Sequence, residues 1–354
     1  MSNLPFGSVL IGALCLTATS INAETFQLTV VAGHPPITKG VAAVRDYFIP
    51  EVDRRLAAAG GAHSITWTEA YAGSVADVNG VLEAVEAGIA DFGYVPHLFE
   101  ADKVPLEQIT YVTPFGTDDL PLLMQIITQL HEEIPAFDEG WRRHNQMLLA
   151  PVGIDTYHFV TKEPIEKISD LEGRRIGTAG LALNWLAGSG AIPISGALPS
   201  FYNSMSTGLM EGVMTFESAI APYDFFEVAK YITRINFGAQ YGSALTVNLD
   251  TWERLPEDVR TIILEVSDEY RDRTAIDYYE GGLASLNIAV EGGAIISDLP
   301  QEARIAYAAQ MPNVAREWAA DLDARGMPGT EVLETYMRLV REAGIEVPRD
   351  WAAE

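Results

Sequence analysis

The chain has 354 residues, 48% of them apolar and 20% charged, and its 49 Asp and Glu outweigh 23 Lys and Arg to give a formal net charge of -26. That length and apolar content suffice for about two domains with sizeable cores and exclude a disordered or fibrous chain. The acidity disfavours nucleic acid and anionic lipid as partners, because both require a basic footprint.

Residues 1–23 contain no Asp, Glu, Lys or Arg, carry an apolar run from Val9 to Leu16, and end Ile21-Asn22-Ala23 before Glu24. This pattern predicts a secretory signal removed near Ala23, with an apolar run too short to span a bilayer. The single cysteine, Cys15, lies inside that segment, so a mature chain from Glu24 has no thiol for a disulfide or a metal. No later stretch is apolar enough to cross a membrane, and direct membrane insertion is not expected.

Phe26 to Val31 alternates and is β-branched enough for a first strand, ended by Ala32-Gly33-His34-Pro35-Pro36. Val41, Val44, Phe48, Val52 and Leu56 give helical spacing from about Gly40 to Ala59, interrupted at Pro50. Ser64 to Glu69 predicts a second strand, followed by a turn at Tyr71-Ala72-Gly73. Val75, Val78, Leu82 and Val85 predict the next helix, stopped by Gly88, and Ala90 to Val95 a third strand. Alternating strands and helices indicate an α/β domain with its ligand edge at the strand ends.

A second such series starts near Met147 to Val152, passes through a strand opening at Gly173-Arg174-Arg175-Ile176 and a helix around Phe201 to Ser206, and ends in the short apolar strand Gly212 to Phe216. From Leu255-Pro256-Glu257-Asp258 a helical pattern runs to Gly281 and on to Gly292, which is roughly 50 Å of helix and long enough to bridge two lobes. Gly281-Gly282 is the expected kink. Glu331 to Arg341 predicts a last amphipathic helix. No repeat or Pro-rich linker separates the two series, so the chain is expected to change lobe through hinge strands.

The usual catalytic signatures are missing. There is no Gly-x-Ser-x-Gly, no His-Glu-x-x-His, no close pair among His34, His63, His97, His131, His144 and His158, and no glycine-rich phosphate loop. Spacing alone leaves carboxylate-pair chemistry open in so acidic a chain, but a secreted α/β enzyme is the weaker reading. No catalytic residue, metal or cofactor is expected.

Lys162-Glu163-Pro164-Ile165-Glu166-Lys167-Ile168-Ser169-Asp170-Leu171-Glu172-Gly173-Arg174-Arg175-Ile176-Gly177 resembles a segment of the extracytoplasmic solute-binding proteins of TRAP transporters, the DctP family. Leu82 to Gly93, Thr113-Pro114-Phe115, Tyr202 to Gly212 and Leu255 to Val259 resemble further elements of that family in the same order, and the order argues against a receptor serving an ABC importer. The resemblance implies a two-lobed α/β fold of the type II periplasmic-binding-protein kind, with hinge strands and a long bridging helix. It also implies a periplasmic receptor that captures a small solute by lobe closure and delivers it to the small and large TRAP membrane permease subunits. The expected lobes are 24–150 with 236–275, and 151–235 with 276–325, with residues 326–354 a C-terminal helix packed on them.

In that family an arginine closing the first segment clamps a carboxylate, and the matching position here is Gly177. A forked guanidinium has no substitute in a residue without a side chain. Two readings stay open. Arg175, two residues back on the same strand face, reaches the gap and holds an organic acid, or it is a solvated charge. Glu217, two residues past Thr215, receives an amine or other cation, or it caps a following helix or pairs with a lysine. The expected ligand set is His34, Tyr71, Tyr94, Phe115, Tyr157, Arg175, Gly177, Leu198, Thr215 and Glu217.

Overall fold

Buried β-branched strands and the chain's order of crossing build two separate sheets. The computed structural model describes residues 24–353; the expected signal segment lies outside them. The strands are β1 (Glu24–Ala32), β2 (His63–Ala70), β3 (Phe92–Val95), β4 (Gln146–Ile154), β5 (Tyr157–Thr161) and β6 (Arg175–Thr178). Then come β7 (Ile192–Ser195), β8 (Gly212–Phe216), β9 (Tyr231–Arg234), β10 (Gln240–Asn248) and β11 (Ile295–Asp298).

The first sheet has five strands in the order β2-β1-β3-β10-β4, and the second six in the order β11-β9-β5-β8-β6-β7. β1 pairs parallel with β2 and β3, which puts helices in the connections, whereas β10 returns antiparallel between β3 and β4. Burial follows position. Every residue of β10 and β8 is buried, as suits strands covered on both faces, while the edge strands β2 and β7 are largely exposed.

Two short crossings and one helix connect the sheets. β4 runs into β5 with only Asp155 and Thr156 between them, and β9 returns to β10 through residues 235–239. The third link is the helix Glu257–Glu291, whose 35 residues span roughly 50 Å and pack against β4, the helix Leu120–Glu133 and the short helix Glu217–Ile220. Val259, Ile263, Val266, Tyr270, Thr274 and Tyr278 recur every three or four residues and are buried, so this helix is held by packing along its length.

Three local expectations are corrected. The bridging helix runs unbroken through Gly281-Gly282. Those glycines serve close approach: a Cβ at 281 meets Lys39 Cε at 2.6 Å, and one at 282 meets Asp155 Oδ2 at 2.7 Å and Glu217 Oε2 at 2.8 Å. The helix expected from Val75 begins at Val81 instead. Asp77 Oδ1 accepts from the Asn79 amide at 2.9 Å, and the Val78 amide lies 2.3 Å from where a Cβ on Gly33 would stand, so this stretch is a turn pressed onto the loop after β1. Pro50 does not end its helix. A π-helical turn, Val44–Phe48, precedes the α segment Ile49–Ala58 and absorbs the missing proline N–H.

Gly282→Ala is expected to lower stability by about 1–2 kcal/mol, because overpacking against two carboxylates exceeds the helix propensity gained. Gly140→Ala, in the helix Ala136–Arg142 with no atom within 4 Å of the new Cβ, is expected to raise it by about 0.5–1 kcal/mol. Urea unfolding of the two variants measures both signs.

Candidate functional site

The carboxyl ends of parallel strands from both sheets converge on one cavity with about 490 Å³ of space not filled by atoms, part of it open to solvent. The first sheet contributes His34 and Thr38 after β1, Tyr94 in β3 with Pro96, Leu98 and Phe99 beyond it, and Ser243 of β10. The second contributes Tyr157 at the start of β5, Thr178 at the end of β6, and Met214, Thr215 and Phe216 at the end of β8. Leu198 and Phe201, in the helix Leu198–Ser206, and Tyr278 of the bridging helix complete the wall. None of the residues lining this cavity is Asp, Glu, Lys or Arg.

Its polar groups are neutral, and its three tyrosines are hydrogen-bonded to other phenols. Tyr94 and Tyr278 share a hydrogen bond of 3.2 Å, and the Gly40 amide donates to the Tyr278 hydroxyl at 3.2 Å. Tyr157 bonds the Tyr111 hydroxyl at 3.1 Å. Burial raises the Tyr94, Tyr157 and Tyr278 phenols, which therefore stay protonated donors. His34 is buried, and burial lowers its imidazole to about 4, so it is uncharged at neutral pH. Two buried polar atoms of the wall, His34 Nδ1 and Thr178 Oγ1, find no hydrogen-bond partner among the described residues.

The lobes also touch around the cavity. Thr38 Oγ1 bonds the Tyr223 hydroxyl at 3.0 Å, and the backbone at Gly180, with φ +54°, approaches Leu98 so closely that a Cβ would stand 2.3 Å from the Leu98 carbonyl oxygen. Trp185 Nε1 donates to the Tyr111 carbonyl at 2.7 Å, with the two rings stacked.

Of the residues anticipated from sequence, His34, Tyr94, Tyr157, Leu198 and Thr215 line this cavity. Gly177 lies directly behind it. A Cβ there would stand 2.5 Å from Met210 Sδ and 3.3 Å from Phe201 Cε1, so apolar side chains fill the space a longer residue would need. Arg175 is turned away, its guanidinium paired with the Glu211 carboxylate, which also accepts from the Arg175 amide at 2.7 Å. Tyr71 is half-buried in the turn after β2 and does not line the cavity. Phe115 is buried between the Phe237 ring, 5.0 Å away, and the Arg304 guanidinium, 5.4 Å from its centroid.

Glu217 faces a different, polar groove, lined also by Asp118, His158, Arg234, Asn236 and Arg304. The strand ends at Phe216 and a helical turn begins at Glu217, so the expected sharing of a face with Thr215 does not extend to it. The Asn236 amide donates to His158 Nδ1 at 3.2 Å, which fixes the proton on Nε2, and Nε2 donates to Glu217 Oε1 at 2.8 Å. Behind this pair sits buried Asp155, whose Oδ2 accepts from the Ser218 amide at 3.0 Å. Burial, and then the nearby Glu217 carboxylate, push the Asp155 carboxyl well above the usual carboxylate range.

Sequence reasoning missed Thr38, Thr178, Ser243, Phe201 and Tyr278. Thr178 follows Gly177 at a strand end, and Tyr278 continues the buried Tyr270-Thr274 spacing on the bridging helix; both signals were readable. Ser243 had none, since β10 carries no turn or helix signal to delimit it. Among the described residues, no cluster of His, Cys, Asp and Glu could hold a metal ion, and no helix is long and apolar enough to cross a membrane.

The DctP profile, described as bacterial extracellular solute-binding protein, family 7, matches residues 61–321. Over 138 residues the chain is 30% identical to the C4-dicarboxylate-binding periplasmic protein DctP of Rhodobacter capsulatus, a match covering 38% of this chain and 40% of that protein. The chain thus spans about two-fifths of the length of the curated relatives it matches. In structure it is similar to a TRAP solute-binding protein of Rhodoferax ferrireducens in complex with copurified benzoate, with TM-score 0.79 and 18% identity over 90% of this chain and 98% of that one. A Bordetella pertussis extracytoplasmic solute receptor binding pyroglutamic acid gives TM-score 0.77 and 17% identity over 88% and 99%.

The lowered His34 pKa has a stability consequence with a definite sign. A neutral buried imidazole contributes fully above its unfolded value of 6.5, and the contribution is lost as pH falls from 6.5 toward about 4, a difference on the order of 3 kcal/mol. His34→Gln is expected to remove that part of the acid sensitivity. The stability gap between the two proteins, followed by urea midpoint, should narrow across that pH window.

Proposed function

We propose that this chain, which belongs to the DctP family of bacterial extracellular solute-binding proteins, is the periplasmic receptor of a TRAP transporter. The family consists of binding receptors and not of enzymes. In this reading residues 1–23 direct export and are removed near Ala23. The two lobes, 24–150 with 236–275 and 151–235 with 276–325, close on a small organic solute, with 326–354 packed on them. The closed form then presents the solute to the small and large membrane permease subunits.

The observation that carries the reading is the cavity itself, built from the strand ends of both sheets and lined by aromatic and aliphatic side chains with a few polar groups among them. Because both lobes and the bridging helix contribute wall, a solute contacting all three stabilises closure by the difference between its contacts in the open and closed forms. The crossings at 155–156 and 235–239 are where such a rotation would be absorbed.

The acids bound by relatives do not transfer directly to this chain, since no cation lines the cavity. An organic acid held by Arg175 would have to break the Glu211 pair, and an amine held by Glu217 would have to reach past His158. Burying an ion without a partner costs several kcal/mol, which weighs against both.

The test is to purify the protein from its native host, identify by mass spectrometry the small molecule released on denaturation, and add it back to refolded protein. Readdition should raise the melting temperature and reduce the radius of gyration in X-ray scattering. Binding without compaction sinks lobe closure. Tyr223→Phe, which removes the hydrogen bond to the cavity-lining Thr38, is expected to weaken rebinding by about two- to tenfold.

A further inference from the structure

From the chemistry of the cavity wall, and resting on the receptor reading above, we infer that the solute is an uncharged ring compound carrying one or two hydrogen-bonding groups, received by Thr178 and His34.

The wall offers neither sign of charge to an ion. The two charged residues the sequence pointed to are both occupied elsewhere. Arg175 is held outside by Glu211, and Glu217 is turned to His158 and the polar groove. The place where a side chain at 177 would bring charge is filled by Met210 and Phe201. A carboxylate or an ammonium entering here loses its hydration and gains no counter-charge.

What the wall does offer is aromatic surface. Tyr94, Phe99, Tyr157, Phe201, Phe216 and Tyr278 surround the space, with aliphatic contacts from Leu98, Ile154 and Leu198 between them. Flat ring faces are best matched by another ring, through offset or edge-to-face contact. A purely hydrocarbon ligand is disfavoured by the two buried partnerless atoms. Thr178 Oγ1, on a residue 1% exposed, can donate or accept, and the neutral His34 ring brings Nδ1 on a residue 6% exposed. Such groups are costly to leave unmatched, so a ligand that reaches them gains specificity from a hydroxyl, carbonyl or amide.

The test uses three probes of one skeleton and differing charge: benzamide, benzoate and benzylammonium, titrated at neutral pH by calorimetry. Benzamide is expected to bind at least about tenfold more tightly than either ion. Thr178→Val should weaken benzamide by about three- to tenfold while Thr178→Ser retains it, with the melting temperature of each unliganded variant reporting that it folds. Binding of either ion as tight as benzamide overturns the inference, as does no benzamide binding at millimolar concentration or an affinity unmoved by Thr178→Val. Scattering separates this from the receptor reading. Compaction with benzoate alone sinks the neutral class and keeps the receptor; benzamide bound without compaction keeps the class and sinks closure.

Discussion

The arrangement hangs on one threonine at the point where the chain first leaves the first sheet. Thr156 Oγ1 donates to Asn236 Oδ1 at 2.6 Å and accepts from the Gly238 amide at 3.1 Å, while its carbonyl accepts from the Glu217 amide at 3.2 Å. One residue thus ties the outgoing crossing to the returning crossing and to the end of β8. Phe115 and Ala239 extend the tie, since the Phe115 amide donates to the Phe237 carbonyl at 2.6 Å and the Ala239 amide to the Thr117 carbonyl at 2.7 Å. With two crossings so short and mutually bonded, the two sheets are held together at this point. The cavity keeps its two-sided wall for that reason.

Charge is sorted with respect to the same point. In a chain of net charge -26 no residue lining the cavity is Asp, Glu, Lys or Arg. Arg175 meets Glu211, and Glu217 meets a His158 whose tautomer is fixed by the Asn236 amide. Asp155 is the cost of this sorting. It is a buried acid beside another acid, and its raised pKa means that the folded form keeps a proton there at pH values where the unfolded chain has lost it. Stability from that proton is full at low pH and declines as pH rises above the unfolded value, the opposite slope to that of His34.

Much of the fold was legible because local pattern and burial agree there. Phe26 to Val31, Gly212 to Phe216 and the run after Pro256 are apolar at the period their element requires, and the structure puts a strand or helix on each. The misreadings occur where tertiary contact overrides pattern. Val75 and Val78 have helical spacing, yet the loop after β1 presses the segment into a turn, and Gly281-Gly282 looks like a hinge but is a notch for neighbouring side chains. At the site, alignment to a family pattern found strand ends well enough to bring His34, Tyr94, Tyr157, Leu198 and Thr215 onto one wall. It could not say which way Arg175 and Glu217 point, because that depends on Glu211 and His158, partners 36 and 59 residues away in sequence.

The position of β10 has a consequence for how this chain acquires its shape. The first sheet reads β2-β1-β3-β10-β4, so its first four strands in sequence form two unjoined pieces until residues 240–248 arrive between them. Five of the six strands of the second sheet lie uninterrupted between 157 and 234 and need nothing from outside that span to pair with one another. A polypeptide emerging amino end first can therefore pair five strands of its second sheet before its first sheet is joined, and its amino-terminal half must wait with open edges. During that interval β3 and β4 lack the partner that will separate and cover them, which makes this the stage most exposed to wrong pairing and to chaperone capture.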